Sequence, residues 1–226
     1  MNIKKQIPNI ITLLNLFCGC VALVYVSQLN FENAFYFVCL GIFFDFFDGF
    51  FARLFKVASP LGLQLDSLAD MVTSGVVPGF VMFQMINNLH LGNTIIPYCG
   101  FLITVGACYR LANFNIDTRQ TDSFIGLPTP ANTLFIISLP LISENFIQFN
   151  VIVLITISVI SALIMNAEIP LFSLKIKSFD LKKNSLQILF LLISTILILF
   201  LHFLGVAIVI LVYILLSVLM NFFQKK

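Results

Sequence analysis

Apolar residues in this chain come in long unbroken stretches, parted by short polar knots. Each stretch approaches the roughly 20 residues that a helix needs to cross the hydrocarbon of a bilayer. Eight are predicted: 9–28, 32–53, 63–87, 94–113, 129–143, 147–165, 185–203 and 205–223. The fifth is short, and Pro140 predicts a break in it. Lys4 and Lys5 precede Pro8 and Asn9 and then an uninterrupted span with no small-residue cleavage site, so the first ten residues read as an interfacial lead-in and not as a signal peptide. Neither an internal repeat nor a coiled-coil heptad nor a low-complexity linker divides residues 1–226. The expected fold is all-α: one membrane domain, a polytopic transmembrane bundle of about eight spans.

The knots are not equivalent. All 12 Lys and Arg residues lie at the N-terminus (Lys4, Lys5), in the even-numbered connections (Arg53, Lys56; Arg110, Arg119; Lys175, Lys177, Lys182, Lys183) or at the C-terminus (Lys225, Lys226). The odd-numbered ends carry Glu32, His90, Glu144 and His202 and no Lys or Arg. By the positive-inside rule both termini are cytoplasmic. Arg119 and the 175–183 cations read as anchors to anionic lipid.

Composition narrows the class. Sixty per cent of the residues are apolar and 10% are charged, far from the ~45–50% and ~25% of soluble domains. A mean hydropathy of +1.06 excludes a disordered chain. A net charge of +2 without a basic tract leaves nothing for nucleic acid to grip. The 5 cysteines (Cys18, Cys20, Cys39, Cys99, Cys108) stand inside apolar runs and read as small buried residues, neither a disulfide frame nor a zinc site.

Against this background four acids stand out inside the second and third spans: Asp45 and Asp48, then Asp66 and Asp70. A central Asp costs roughly 2.5–3.5 kcal/mol on insertion scales, so the four require compensation. The i, i+3 and i, i+4 spacings put each pair on one helical face. The short loop between the spans makes them antiparallel, and at about 1.5 Å per residue Asp48 and Asp45 lie roughly 7 and 12 Å in from Arg53, while Asp66 and Asp70 lie roughly 5 and 10 Å in from Leu63. The pairs are level. With no Lys or His in either span, an all-carboxylate set suits hard divalent cations bound through oxygen, and two such ions would neutralise it. The alternative is that some of the acids are protonated or face a wet crevice. Gly49, Ala52 and Gly62 beside them leave room for a ligand, or serve helix packing. Asn9, Thr12 and Asn15 form a polar stripe at the same end, fit for nucleotide or phosphate contact or for interhelical hydrogen bonds.

The pattern Asp45-x2-Asp48-Gly49-x2-Ala52-Arg53-x8-Gly62-x3-Asp66-x3-Asp70 resembles the complete signature of the CDP-alcohol phosphatidyltransferase family. That resemblance implies an integral membrane enzyme that displaces CMP from a CDP-linked lipid by an alcohol hydroxyl, with two divalent cations, Mg2+ or Mn2+. It implies that Asp45, Asp48, Asp66 and Asp70 hold metal, with Asp70 also the base. The nucleotide would lie against Asp48, Gly49, Ala52, Arg53 and Gly62, with Asn9 and Thr12 alongside. The catalytic core would cover 1–166, with 185–223 adding two C-terminal transmembrane helices.

Further segments resemble the membrane phosphatidylserine synthases of bacteria and archaea: residues 7–15, 66–78, 109–115 (Tyr-Arg-Leu-Ala-Asn-Phe-Asn) and 124–131 (Phe-Ile-Gly-Leu-Pro-Thr-Pro-Ala). Asn113 departs from the basic residue expected there. The branch implies CDP-diacylglycerol and L-serine as substrates, a homodimer in the bacterial cytoplasmic membrane, an active site at the cytoplasmic face, and serine held by Arg110, Asn115, Gly126 and Pro128. Thr73 and Ser74 would support the acids, and His90 and His202 would lie on the opposite face.

Direct displacement is the simpler scheme, since Ser67 is the only nucleophile near the acids. Rival readings are another acceptor in the same family (glycerol phosphate, inositol phosphate or an archaeal ether lipid), a divalent-cation transporter, and a lipid-binding organiser. A transporter favours acids at the midplane, whereas these cluster toward one face.

Overall fold

The computed structural model describes residues 3–90, 92, 94–117, 119, 124–145, 148–172 and 184–224. The charges expected at Lys175, Lys177, Lys182, Lys183, Lys225 and Lys226 lie outside the described residues, as do the side chains of Lys4, Lys5 and Glu144. The chain is all-helical. Among the described residues four helices are long and apolar enough to cross a membrane: Gln6–Ser27, Phe31–Leu54, Pro60–Asn87 and Ser185–Phe222. It is a multi-pass membrane protein.

Helices α1 (Ile3–Ser27) and α2 (Phe31–Leu54) form an antiparallel hairpin, with Asn30 capping α2 through Asn33 N–H. The lead-in expected before residue 9 is instead helical from Ile3. Pro8 stands near the start of α1, where its missing N–H forfeits little hydrogen bonding. After a turn at Lys56 (φ +55°), Ser59 caps α3 (Pro60–Asp70), accepting from Gly62 N–H at 3.1 Å, with Pro60 in its first turn. The helix continues through a π-helical segment, Met71–Val76, into α4 (Val77–Asn87). This wide turn was not expected from the sequence.

The fourth apolar stretch starts as a 3-10 turn, Ile96–Phe101, and becomes α5 (Leu102–Ile116). Helix α6 (Thr129–Asn145) runs without a break through Pro140, correcting the interruption expected there. One missing backbone bond is tolerated in a helix enclosed by neighbours. Helix α7 (Val151–Asn166) begins at the Asn150 cap, later than residue 147.

Helix α8 (Ser185–Gln224) is broken at His202 (φ 48°, ψ −120°). A Cβ on Gly205 would come within 2.2 Å of the Leu197 carbonyl, and the rings of Phe190 and Tyr213 are 5.8 Å apart. A straight helix would separate those rings by roughly 34 Å. The two arms, 185–201 and 203–224, therefore fold back on each other. The core is built where α1, α2, α4, α6 and α7 meet, with Val26, Val38, Met82, Ile136, Ile137 and Leu154 fully enclosed. Of the cysteines, all free, Cys18 alone is buried, whereas Cys20 and Cys108 are exposed, so burial does not hold for the set. An apolar exterior facing lipid carries no penalty for leaving them there.

Candidate active site

The α2–α3 turn sets the site. It turns α3 back so that it faces the C-terminal half of α2, and Asp45, Asp48 and Asp66 converge, each offering an oxygen within 4.8 Å of the others. Asp48 is 7% exposed. From α1, Thr12 Oγ1 donates to Asp48 Oδ2 and also lies 3.1 Å from the Pro8 carbonyl. Asp70, one turn deeper, stands outside the trio and adjoins Asp45. Its Oδ1 accepts from Asn15 Nδ2 at 3.1 Å, and Asn15 is completely buried. Asn15 is held in turn: its carbonyl accepts from Thr73 Oγ1 at 3.1 Å. The π-helical segment thus carries Thr73 to α1 and sets Asp70 at its own entrance. Close approach makes this possible, because a Cβ on Gly19 would come within 2.4 Å of Thr73 Oγ1.

The acids fit a hard cation. Three carboxylates at this separation give an all-oxygen donor set, and among the described residues no Lys lies against them. Asp45, Asp48 and Asp66 could hold such an ion directly.

Two clefts share a wall made by Asp48, Gly49, Arg53 and Asp66. The smaller, about 220 Å³, is bounded by Asn9, Thr12, Ala52, Ser59 and Gly62. All residues expected against the nucleotide line it. The larger, about 400 Å³, is bounded by Asp45, Asp70, Arg110, Asn115, Phe124 and Pro128, with Thr129 and Pro130 of the α6 N-terminus. Arg110 is 6% exposed, and its guanidinium lies 5.3 Å over the Phe114 ring, which neighbours Phe124. Asn115 Nδ2 donates to Ser67 Oγ at 2.8 Å, and Ser67 Oγ lies 3.2 Å from the Leu63 carbonyl.

Gly126 does not line this cleft. It takes a positive φ of 74°, and a Cβ there would meet the Met165 carbonyl at 2.4 Å. Its part is the path of the 124–128 strap. Ser74 contributes a carbonyl, which lies 2.9 Å from Thr133 Oγ1 on α6. Outside the helices, Asp117 pairs with Arg119 through both carboxylate oxygens and holds that guanidinium's pKa above its ordinary value.

Residues 5–172 match the model of the family described as CDP-alcohol phosphatidyltransferase. The chain belongs to this family. Several curated relatives of the CDP-alcohol phosphatidyltransferase chain carry the name CDP-diacylglycerol--serine O-phosphatidyltransferase. That of Bacillus subtilis is 36% identical over 130 residues, 56% of this chain and 70% of the relative. The Methanocaldococcus jannaschii protein is 34% identical over 158 residues, 69% of this chain and 71% of that one. A Helicobacter pylori protein is 33% identical over 141 residues, 62% of this chain, and the match spans about three fifths (59%) of that relative. The family's metal dependence accords with the aspartate trio.

Proposed function

We propose that this chain transfers the phosphatidyl group of CDP-diacylglycerol to the hydroxyl of L-serine, giving phosphatidylserine and CMP. The observation that carries the acceptor is the larger cleft, where a nearly buried guanidinium and an amide share one chamber with Asp70. Serine presents a carboxylate and a hydroxyl a few ångströms apart. A guanidinium fork suits the first, and a carboxylate base suits the second. The α6 N-terminus adds partial positive charge on the carboxylate side. The names of the relatives agree with this acceptor.

In this reading the diphosphate lies at the shared wall and the cytidine in the smaller cleft, against Gly49, Ala52 and Gly62, with Asn9, Thr12 and Arg53 supplying polar contacts. Asp45, Asp48, Asp66 and Asp70 hold two divalent cations, Mg2+ or Mn2+, which supply Lewis-acid charge to the diphosphate. Arg110, with Asn115, orients serine so that its oxygen faces the lipid phosphorus. The strap carrying Gly126 and Pro128 closes the far side. Asp70 accepts the hydroxyl proton as the new P–O bond forms and the bond to CMP breaks. Asn15 keeps its carboxylate turned toward the cleft.

The chain is a single membrane domain with eight spans and cytoplasmic termini. Its active site opens at the cytoplasmic face of a bacterial inner membrane, and it works as a homodimer. The deciding assay follows CMP release by purified protein from CDP-diacylglycerol with serine, glycerol 3-phosphate, inositol phosphate or no acceptor, before and after chelation. Release that depends on serine and stops with chelator is the expected result. Release driven by another alcohol would overturn serine as acceptor while leaving the family chemistry intact.

A further inference from the structure

The strap that closes the larger cleft has little helix of its own to hold it. Residues 124–127 are instead paired by their backbone to the last turn of α7 and the segment that follows it. Leu171 N–H donates to the Phe124 carbonyl at 2.8 Å, Gly126 N–H to Ile169 at 2.9 Å and Leu127 N–H to Ile164 at 3.1 Å, around a bridge between Ile125 and Pro170. That second segment is gripped from its other side by the returning arm of α8. Tyr213 O–H donates to the Phe172 carbonyl at 3.0 Å, Phe172 N–H donates to Ser217 Oγ at 3.2 Å, and Asn221 Nδ2 donates to the Pro170 carbonyl. The Tyr213 ring packs on Phe172 with centroids 4.9 Å apart, and both rings meet Phe190 of the first arm. Phe172 is the last residue matched by the family model, so the whole of α8 lies beyond that match.

We propose that Tyr213 and Ser217 are positioning residues for the acceptor: through Phe172 and the paired strap they fix Phe124 and Pro128, the wall of the cleft that takes the alcohol. The smaller cleft is bounded by α1, α2 and α3, none of which is part of this relay. The α8 hairpin therefore governs acceptor affinity and leaves donor affinity alone. This rests on the acceptor site assigned above.

The test uses the full chain in detergent or vesicles, comparing wild type with the Tyr213→Phe/Ser217→Ala pair, which removes both polar links to Phe172, leaves that of Asn221 to Pro170 and keeps the rings. The serine KM should rise about three- to tenfold, the range expected for losing one or two hydrogen bonds, while the CDP-diacylglycerol KM stays within about twofold. Ser217→Thr, which retains a hydroxyl, should behave as wild type. So should Leu215→Ala, whose side chain faces outward on the same arm at 61% exposed. An unchanged serine KM, or a parallel rise in both KM values, would overturn the proposal.

Amide hydrogen exchange across 124–127 gives a readout that needs no substrate. It should quicken in the pair, with α1 and α2 unchanged, and equal exchange would also overturn the relay. If the pair does not accumulate folded, Tyr213→Phe alone carries both comparisons. Should wild type ignore serine, the serine reading fails by itself, and the KM comparison is made with the alcohol that does release CMP.

Discussion

Asp70 differs from the other three acids in what touches it. Asp45, Asp48 and Asp66 face one another, whereas Asp70 receives an amide hydrogen from the buried Asn15 on Oδ1 and lines the larger cleft. The proposed role as base is to take the hydroxyl proton on the cleft side. Asp70→Asn keeps the shape and the Asn15 contact but cannot take that proton, so turnover should fall at least about a hundredfold, within the ~10²–10⁴ typical of a general base. CDP-diacylglycerol binding should survive, and steady-state rates with equilibrium binding would check both. Arg110→Lys keeps a cation and loses the fork. Its serine KM should rise several-fold with donor KM unchanged, and unaltered serine kinetics would return Arg110 to a membrane anchor. The four acids were legible because their spacing places them on two faces at one depth, and the full eight-position signature through its resemblance to a known family. That Asn15 serves Asp70 was not: three residues on from Thr12 it belongs to the same stripe, and nothing in that stripe says which acid it meets.

Among the elements, the π-helical segment Met71–Val76 does the most to shape the site. The extra residue in its turn carries Thr73 against α1, where Gly19 leaves space for its hydroxyl, as Gly41 of α2 does for its methyl. Gly19→Ala would drive a methyl into Thr73. Overpacking of this kind costs about 1–3 kcal/mol, and here the strain falls on the turn that holds Asp70. Activity should drop more than tenfold with a lowered Tm, measured by turnover and thermal unfolding in detergent. Gly49→Ala is the comparison, since its Cβ would meet only the flexible Arg53 side chain at 3.4 Å. Its stability should hold, with the loss confined to donor KM. No apolar periodicity announces a π turn, because the segment mixes polar Thr73 and Ser74 with apolar residues and buries both kinds. Pro140 predicted a break that tertiary packing overrides, and the true start of α1 lay before the apolar run.

At the scale of the whole molecule, the fold-back of α8 was readable from polar His202 between two apolar arms, each near spanning length. The pairing of 124–127 with 164–171 was not, because backbone-to-backbone bonds leave no trace in side-chain pattern. Orientation rests on the cations. In a chain cleared of its own cysteines, single cysteines at Lys56, Arg119 and Lys182 should resist a membrane-impermeant thiol reagent applied to intact cells. Cysteines at His90 and Gln148 should react. Opposite accessibility within either group would overturn the eight-span topology.

The two clefts meet at a common wall of Asp48, Gly49, Arg53 and Asp66, and each has lining residues of its own beyond it. In the proposed mechanism donor and acceptor are then resident together, and a ternary complex is expected in which CMP need not depart before the alcohol arrives. Ser67 has its hydroxyl engaged by Asn115 and facing the Leu63 carbonyl, and the proposed direct displacement gives it no covalent part. In that scheme a single displacement across the wall exchanges the two sides of the phosphorus, and the expected product lipid has its phosphate configuration inverted.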